Sequence, residues 1–492
     1  MWMKTRKAVV KYFKFVGPGF MVSVAYIDPG NYATDVAAGA TFRFRLLFMI
    51  LLSNIFAVFL QTLCVKLGTV TGMNLAENCK AHLPPWLNYV LYAFAEAAII
   101  ATDIAEVIGT AIALNLLLKV PLVAGCAISI LDVLIILIFY NPSGMSMRAL
   151  RIFEMCVMLL VLGVVVSFCF ELSMIRDTSV AEVFQGYLPS KALVTSKGLY
   201  QSCGILGATV MPHSLYLGSG IVQSRLRDFD DRHNTSGTPP TTPPTEPIDP
   251  TSLLPSSASL TSVLSEKYRP SLAAINACLT YSTLELAISL ITFALFVNSA
   301  ILIVAGSSLS HLPAEEIEAA DLFTIHDLLA RTLAPVAGTM FALALLLSGT
   351  SAGIVCTIAG QMVSEGQLRW TVKPWVRRLI TRSISITPSI IIAGAVGREG
   401  LGTALEASQV ALSVVLPFVS APLIWFTCRA SVMRVWTSDV DDGGDGSGTQ
   451  GVDGGRVVVL RNHWVTSAVA VVIWGVIVVM NVALLVLLGK RK

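Results

Sequence analysis

The feature that most constrains this chain is a series of long apolar stretches, each near the ~20 residues that a helix needs to cross a bilayer. Eleven are read, near residues 15–40, 45–69, 86–117, 121–140, 152–171, 196–222, 271–305, 335–363, 379–397, 402–428 and 464–488. Hydrophobic residues make up 54% of the chain and charged residues only 13%, too few to cover it with a water-soluble surface. In hydrocarbon a helix satisfies its backbone polar groups within its own segment. The expectation is therefore an all-α polytopic membrane protein with about eleven spans.

Basic residues set its orientation, because cytoplasmic loops carry the Lys/Arg excess. About two-thirds of the 34 Lys and Arg fall in alternate segments, among them Lys4 to Lys14, Arg369 to Arg382 and Arg429 to Arg461. The N-terminus is predicted to be cytosolic and, after eleven spans, the C-terminus extracytosolic. The net charge of +3 is topology and points to no nucleic acid. The basic, then apolar, N-terminus resembles a signal peptide, but Asp28-Pro29-Gly30-Asn31 interrupts it and no small-residue cleavage site follows. It is read as the first span. The nine cysteines form no C-x-x-C pair and read as packed thiols.

The organisation follows. Residues 1–14 form a cytoplasmic N-terminus, and 15–222 a first repeat of five spans plus the sixth. Residues 223–270 form a disordered cytoplasmic loop, rich in Ser and Thr and with prolines from Pro239 to Pro255. Spans seven to ten occupy 271–428, a cytoplasmic Gly/Asp-rich loop 429–463, and the last span with an extracytosolic C-terminus 464–492. Asn234-Thr235-Ser236 is a formal glycosylation acceptor on the wrong side of the membrane for this topology. Asp439, Asp441, Asp442 and Asp445 lack the closing Glu of an EF-hand.

A weak internal symmetry says more. Span one reads Ala25-Tyr26-Ile27-Asp28-Pro29, and span six reads Ala208-Thr209-Val210-Met211-Pro212. Each places a proline mid-membrane, preceded by a potential metal ligand. Five spans per repeat is an odd number, so the second repeat is inverted relative to the first. Broken helices at corresponding positions of inverted repeats point to a midplane substrate site.

A proline in a helix lacks the N–H that the carbonyl four residues back would receive. Pro29 thus frees the backbone oxygen of Ala25, and Pro212 that of Ala208. Beside them stand the Asp28 carboxylate, the Asn31 amide oxygen and the Met211 thioether, with Gly30 completing the first break. Hard oxygens alone suit Ca²⁺ and Mg²⁺, whereas a thioether favours softer transition metals. A simple kink does not account for an acid at this depth, which costs ~2.5–3.5 kcal/mol on insertion scales.

Asp28-Pro29-Gly30-Asn31 together with Met211-Pro212-His213 closely resembles the NRAMP family of proton-coupled divalent-metal transporters. The likeness continues through residues 348–353, 359–366, the run from Arg377 to Arg382, and Ser408-Gln409-Val410. It implies a leucine-transporter-like fold of two inverted five-helix repeats plus one extra helix. It also implies metal (Mn²⁺, Fe²⁺) held by Asp28, Asn31, Met211 and the carbonyls of Ala25 and Ala208, with Gln409 joining in some conformations. The form MPHS-L-Y-L-G-S-G resembles the fungal, manganese-importing branch. Gly218 stands where many members carry a second histidine of span six, so a proton role for that position does not carry over.

Glu96, Asp103 and Glu106 fall on one face of span three at ~100° per residue. Like charges along one face repel, so at least one is expected to exchange a proton near neutrality. A family-like path runs from Asp28 through His213 or Asp103 and Glu106 toward Arg378 and Arg382. Asp132, Glu154 and Glu285 are read as mainly structural, and His82, His233, His311, His326 and His463 as loop residues without a role.

An amino-acid or organic-cation transporter of the same fold would present glycine-rich helix N-termini at its breaks, where this chain offers Met211. A metal-gated receptor or channel fits pseudo-symmetric halves less well than alternating access does. No P-loop, phosphorylated-Asp motif or nucleophile elbow supports an enzyme. No cofactor is expected. The partners are divalent metal ions, protons and the lipid bilayer, with a monomer as the default, in the plasma membrane or an endosomal or vacuolar membrane.

Overall fold

The computed structural model describes residues 17–129, 147–175, 178–234, 268–309, 321–368, 374–437, 449–450 and 456–490. The first span is split into α1 (Pro18–Val24) and α2 (Pro29–Phe42). α3 (Leu47–Thr71) crosses back, a short α4 (Leu75–His82) turns the chain, and α5 (Pro85–Leu118) crosses again. Of the fourth span only α6 (Leu122–Ile128) is described; its remainder, with Asp132, lies outside the described residues. α7 (Met147–Met174) ends the first repeat, and α8 (Val180–Gln185) lies in the connection.

The second repeat opens like the first, with α9 (Ser196–Thr209) and α10 (Pro212–Ile221) separated by Val210 and Met211. α11 (Gln223–Asn234) follows. The seventh span is α12 (Leu272–Ser289), continuing through a π turn at Leu290–Ala294 into α13 (Leu295–Ser308). After α14 (Leu322–Thr332) come α15 (Pro335–Leu368), α16 (Pro374–Ala395) and α17 (Arg398–Cys428), and α18 (Trp464–Gly489) closes the chain. Among the described residues, eight helices are long and apolar enough to cross a membrane, counting each of the sixth and seventh spans as one. α5 packs on α15 and α2 on α13, while α18 stays at the edge, much of its surface turned outward.

Three expectations need correction. The loop read over 223–270 begins as a helix, α11, whose Asp228–Arg232 pair spans one turn at 2.9 Å. Its Asp230 accepts hydrogen bonds from Tyr268 Oη (2.7 Å) and from the backbone and hydroxyl of Ser271, the cap of α12. The Pro/Ser/Thr stretch 235–267 lies outside the described residues. The loop read over 429–463 contains a three-stranded antiparallel sheet: β1 (Arg434–Thr437), β2 (Thr449–Gln450) and β3 (Arg456–Val459), in the order β1-β3-β2. Arg434 pairs with Val459 and Thr437 with Arg456. The β-branched run Val457-Val458-Val459 favours a pleated strand, a signal masked by the glycines and aspartates around it. Finally, His82, His233 and His326 lie in α4, α11 and α14 rather than in loops, while His311 falls outside the described residues.

Candidate metal centre

Both prolines do locally what their chemistry requires. Asp28 leaves the helical conformation and caps α2, its Oδ1 accepting from the backbone N–H of Asn31 (2.8 Å) and from Asn31 Nδ2 (2.9 Å). Met211 stands in the same position ahead of α10, fully buried. The two breaks touch: Asn31 Nδ2 also donates to the Ala208 carbonyl at 3.1 Å, the oxygen that Pro212 leaves without a helical partner. Asp28 Oδ2 is buried and has no hydrogen-bond partner among the described residues. A carboxylate oxygen stranded in this way calls for a cation or a proton.

Neighbouring spans hold the remaining backbone of the first break. Asn298 Nδ2 of α13 donates to the Tyr26 carbonyl (3.1 Å) and reaches Asn31 Oδ1 at 3.4 Å. Ser348 Oγ of α15 donates to the Ile27 carbonyl at 2.5 Å. Pro29, four residues beyond Ala25, has no N–H to offer the Ala25 carbonyl. Gln409 of α17 lies directly against Gly30, where a Cβ would overlap its side-chain amide; its Oε1 is buried without a partner among the described residues. Pro29 itself fits against Gly109 of α5, another position without room for a Cβ. Asp28, Asn31, Ala208 and Gln409 are thus brought together by α2, α9 and α17, with Met211 three residues beyond Ala208. Asn31 turns its amide nitrogen toward Asp28 here, so metal ligation through Oδ1 requires the amide to rotate by half a turn.

The acids of α5 form a second centre. Arg382 of α16, 2% exposed, contacts Asp103 through a charge-paired hydrogen bond and Glu106 Oε2 at 3.2 Å. Ser385 Oγ donates to Asp103 Oδ2 at 2.9 Å. Cys356 lies in the same cluster, its sulfur within 4.8 Å of a carboxylate oxygen of each acid. Arg382 already supplies the positive charge there, so this cluster suits proton handling better than cation binding. Glu96, two turns earlier on α5, is only partly buried. Arg378 lies one turn before Arg382 on α16, and its side chain falls outside the described residues. His213, two residues beyond Met211, reaches α5: its Nδ1 is 3.3 Å from Thr102 Oγ1, the residue before Asp103, and its Nε2 is buried without a partner among the described residues.

On the face where α4 and α11 lie, two further groups close the bundle. Gln61 Nε2 of α3 donates to Tyr26 Oη (2.8 Å) and to the Ser214 carbonyl (2.9 Å), and Tyr26 Oη lies 3.0 Å from Ser214 Oγ. Gly218 makes this possible, because a side chain there would collide with Gln61. Beyond it, Glu285 accepts from the backbone of Gly17 and Gly19 at the start of α1, and Arg225 pairs with Glu154 at 2.8 Å, both nearly inaccessible. On the opposite face Asp321 caps α14 and pairs with Arg398 at 3.1 Å. Burial alone would raise the Asp321 carboxyl, but donation by Arg398 and Thr324 outweighs it and holds the group below the ordinary carboxylate range.

The Nramp family model, described as natural resistance-associated macrophage protein-like, matches residues 19–440. The chain belongs to the Nramp family. It is 50% identical over 510 residues to the manganese transporter SMF1 of Saccharomyces cerevisiae, covering 98% of this chain and 87% of that protein. Its structure is similar to the crystal structure of the manganese transporter of Eremococcus coleocola in complex with an aromatic bis-isothiourea compound. There the TM-score is 0.72 at 28% identity, covering 95% of this chain and 85% of the other. Mhp1, a nucleobase-cation-symport-1 family transporter, matches with TM-score 0.50 at 11% identity, covering 84% of this chain and 78% of that one, and shows the fold alone. The Nramp architecture of this chain is the leucine-transporter-like one, and it is an integral membrane protein rather than an enzyme.

Sequence reasoning missed several buried polar residues around the two candidate centres. Gln61, Thr102, Asn298 and Ser348 are polar side chains inside apolar spans, a signal that each carries a partner at depth. Asp35, one turn beyond Asn31 on α2, is buried with neither oxygen partnered among the described residues. The pairing of Glu154 with Arg225 joins residues 71 positions apart, and no local pattern announces it.

Proposed function

We propose that this chain is a secondary active importer of divalent transition-metal ions, Mn²⁺ foremost and Fe²⁺ by the same ligand chemistry, driven together with protons. The observation that carries the reading is the bridge from Asn31 to the Ala208 carbonyl beside the unpartnered Asp28 Oδ2. It gathers one anionic oxygen, an amide and the proline-freed Ala208 carbonyl, to which this reading adds the Ala25 carbonyl and, at the second break, the Met211 sulfur. One negative charge among neutral donors binds reversibly, as a carrier must. Manganese is the cargo named for SMF1 and for the Eremococcus coleocola protein, and the donor set agrees with it.

Protons travel separately in this reading, from the site past His213 and Thr102 to Asp103, Glu106 and Arg382. Alternating access moves the half-helices α1 and α10 on one side of the site and α2 and α9 on the other. The Lys/Arg distribution sets the N-terminus in the cytosol, and the protein works as a monomer. A same-fold amino-acid carrier is disfavoured by Asp28 itself. Its carboxylate already occupies the N–H at the start of α2 that a substrate carboxylate would need.

The test is uptake by proteoliposomes holding the full chain, with Mn²⁺ and pH dyes inside. Saturable Mn²⁺ influx accompanied by acidification is expected. Influx of an amino acid in place of metal would overturn the reading, and metal influx with no proton movement would remove the coupling.

A further inference from the structure

Between the junction of α4 and α5, α17 and α18, a groove of about 890 Å³ opens on the flank of the bundle. Its walls are apolar and rigid: Leu87, Pro417, Phe418, Trp425, Trp474 and Val482. Phe418 is 47% exposed and Val482 53%, so the groove opens sideways, toward hydrocarbon. Trp474 Nε1 donates to the Pro417 carbonyl at 2.9 Å, and Phe418 stacks on Phe94 with centroids 4.5 Å apart. Both rings are fixed as walls and do not plug the space. Gln409, on the same helix, is wholly buried against Gly30, so the groove lies apart from the metal centre.

One end of the groove reaches His82, Leu83 and Pro84, where α4 meets α5 at the surface of the bundle. Arg429, the first residue beyond α17, lays its guanidinium 4.3 Å over the ring of Trp425 and pairs with no carboxylate among the described residues. Lys80 of α4 stands 5.6 Å from the ring of Tyr89 and is likewise without a carboxylate among the described residues. Two cations thus stand beside this end of the groove, Arg429 over the ring of its lining Trp425 and Lys80 two residues before its lining His82. A neutral acyl chain or a sterol would account for the channel and leave the cations idle. A soluble phosphate would account only for the cations.

We propose that the groove holds one anionic phospholipid, its acyl chain along Trp474 and Phe418 and its phosphate at the rim formed by Arg429 and Lys80. The orientation proposed above places this rim in the cytoplasmic leaflet, where anionic lipids concentrate. The binding itself needs only the geometry.

The experiment reconstitutes the full chain in phosphatidylcholine vesicles containing phosphatidylserine, with bromine on the acyl chains of one lipid or the other. Bromine quenches tryptophan on contact, and the signal of Trp425 and Trp474 is isolated by subtracting the Trp425→Phe/Trp474→Phe protein. Brominated phosphatidylserine should quench that signal more effectively than brominated phosphatidylcholine at equal mole fraction, by up to about 25-fold, since each of the two basic residues adds about fivefold in preference. Arg429→Ala with Lys80→Ala should bring the two lipids level, and added salt should do so in the parent. Ala421→Phe, which fills the groove, should remove quenching by both. Equal quenching by the two lipids in the parent would overturn the proposal. So would a preference that survives both the rim substitutions and salt, or a groove closed by a second copy of the chain in cross-linking. Because the readout is contact and not transport, it stands or falls independently of metal carriage.

Discussion

Glu285 grips Gly19 with both of its carboxylate oxygens, each 2.9 Å from the same backbone nitrogen. One of those oxygens also accepts from Gly17 at 2.8 Å, so an acid of the seventh span caps the first half-helix. Arg225 and Glu154 close round the same spot, where a side chain on Gly17 would meet both. Three elements therefore hold α1 in place on the side of the metal centre nearer α4 and α11. A charged hydrogen bond of this kind is worth ~1.5–3 kcal/mol. Glu285→Ala should free α1, and amide exchange over Pro18–Val24 should quicken about tenfold or more. Unchanged exchange there would show that packing, not Glu285, restrains the half-helix.

The metal centre gives a sharper expectation. Asp28→Ala should abolish saturable Mn²⁺ uptake while the protein remains folded, because Asp28 is the only anion among the donors drawn together. The change removes a charge that lacks a full set of partners, so stability should not suffer as it would at a satisfied buried pair. Full uptake by a detergent-stable Asp28→Ala protein would place the site elsewhere.

Much of this centre was legible in the sequence because proline chemistry is local. Pro29 and Pro212 each announce a freed carbonyl four residues back, and Asp28 and Met211 adjoin them. What the sequence left out is what distant spans contribute. Asn298 supports the Tyr26 carbonyl from 272 residues away, and Ser348 supports Ile27 from 321. Their hydropathy neighbourhoods are ordinary and give no register. The sheet of β1, β2 and β3 was obscured for another reason: its strands are shorter than the Gly/Asp-rich segments around them, and composition averaged over the loop hides them.

Met211 should set selectivity more than capacity. Met211→Ala is expected to retain Mn²⁺ transport while Ca²⁺ or Mg²⁺ competes more effectively, since the thioether is the one donor that disfavours hard ions. A competition assay in which Ca²⁺ remains as poorly accepted as by the parent would argue against that role.

The opposite face offers a pH test. Asp321 is held below the ordinary carboxylate range of ~3.9, so the stability it adds is complete above that range and fades as pH falls through its lower folded value. The difference in thermal midpoint between the parent and Asp321→Asn should be constant from about pH 5 to 8 and shrink in stronger acid. It should be small, because Arg398 is 46% exposed and such pairs give ~0–1 kcal/mol. A difference that grows with acid would reverse the sign and mean that Asp321 is protonated in the folded protein.

The acids beside Arg382 decide whether metal and protons take separate routes. A doubly charged ion moving inward across 100 mV gains about 4.6 kcal/mol, at ~2.3 kcal/mol per charge. Voltage alone can therefore drive metal uptake when proton movement stops. Glu106→Gln and Asp103→Asn keep the hydrogen-bonding shape around Arg382 but cannot exchange a proton. Each also leaves Arg382 with one carboxylate, so the guanidinium is not stranded in the membrane. Mn²⁺ influx at clamped voltage should persist in both proteins while accompanying acidification falls severalfold. If both move protons with metal as the parent does, the path lies elsewhere, and His213, 3.3 Å from Thr102, becomes the group to replace next. If both lose metal uptake altogether, the ion cluster on α5 belongs to the conformational cycle itself, and the two routes are one.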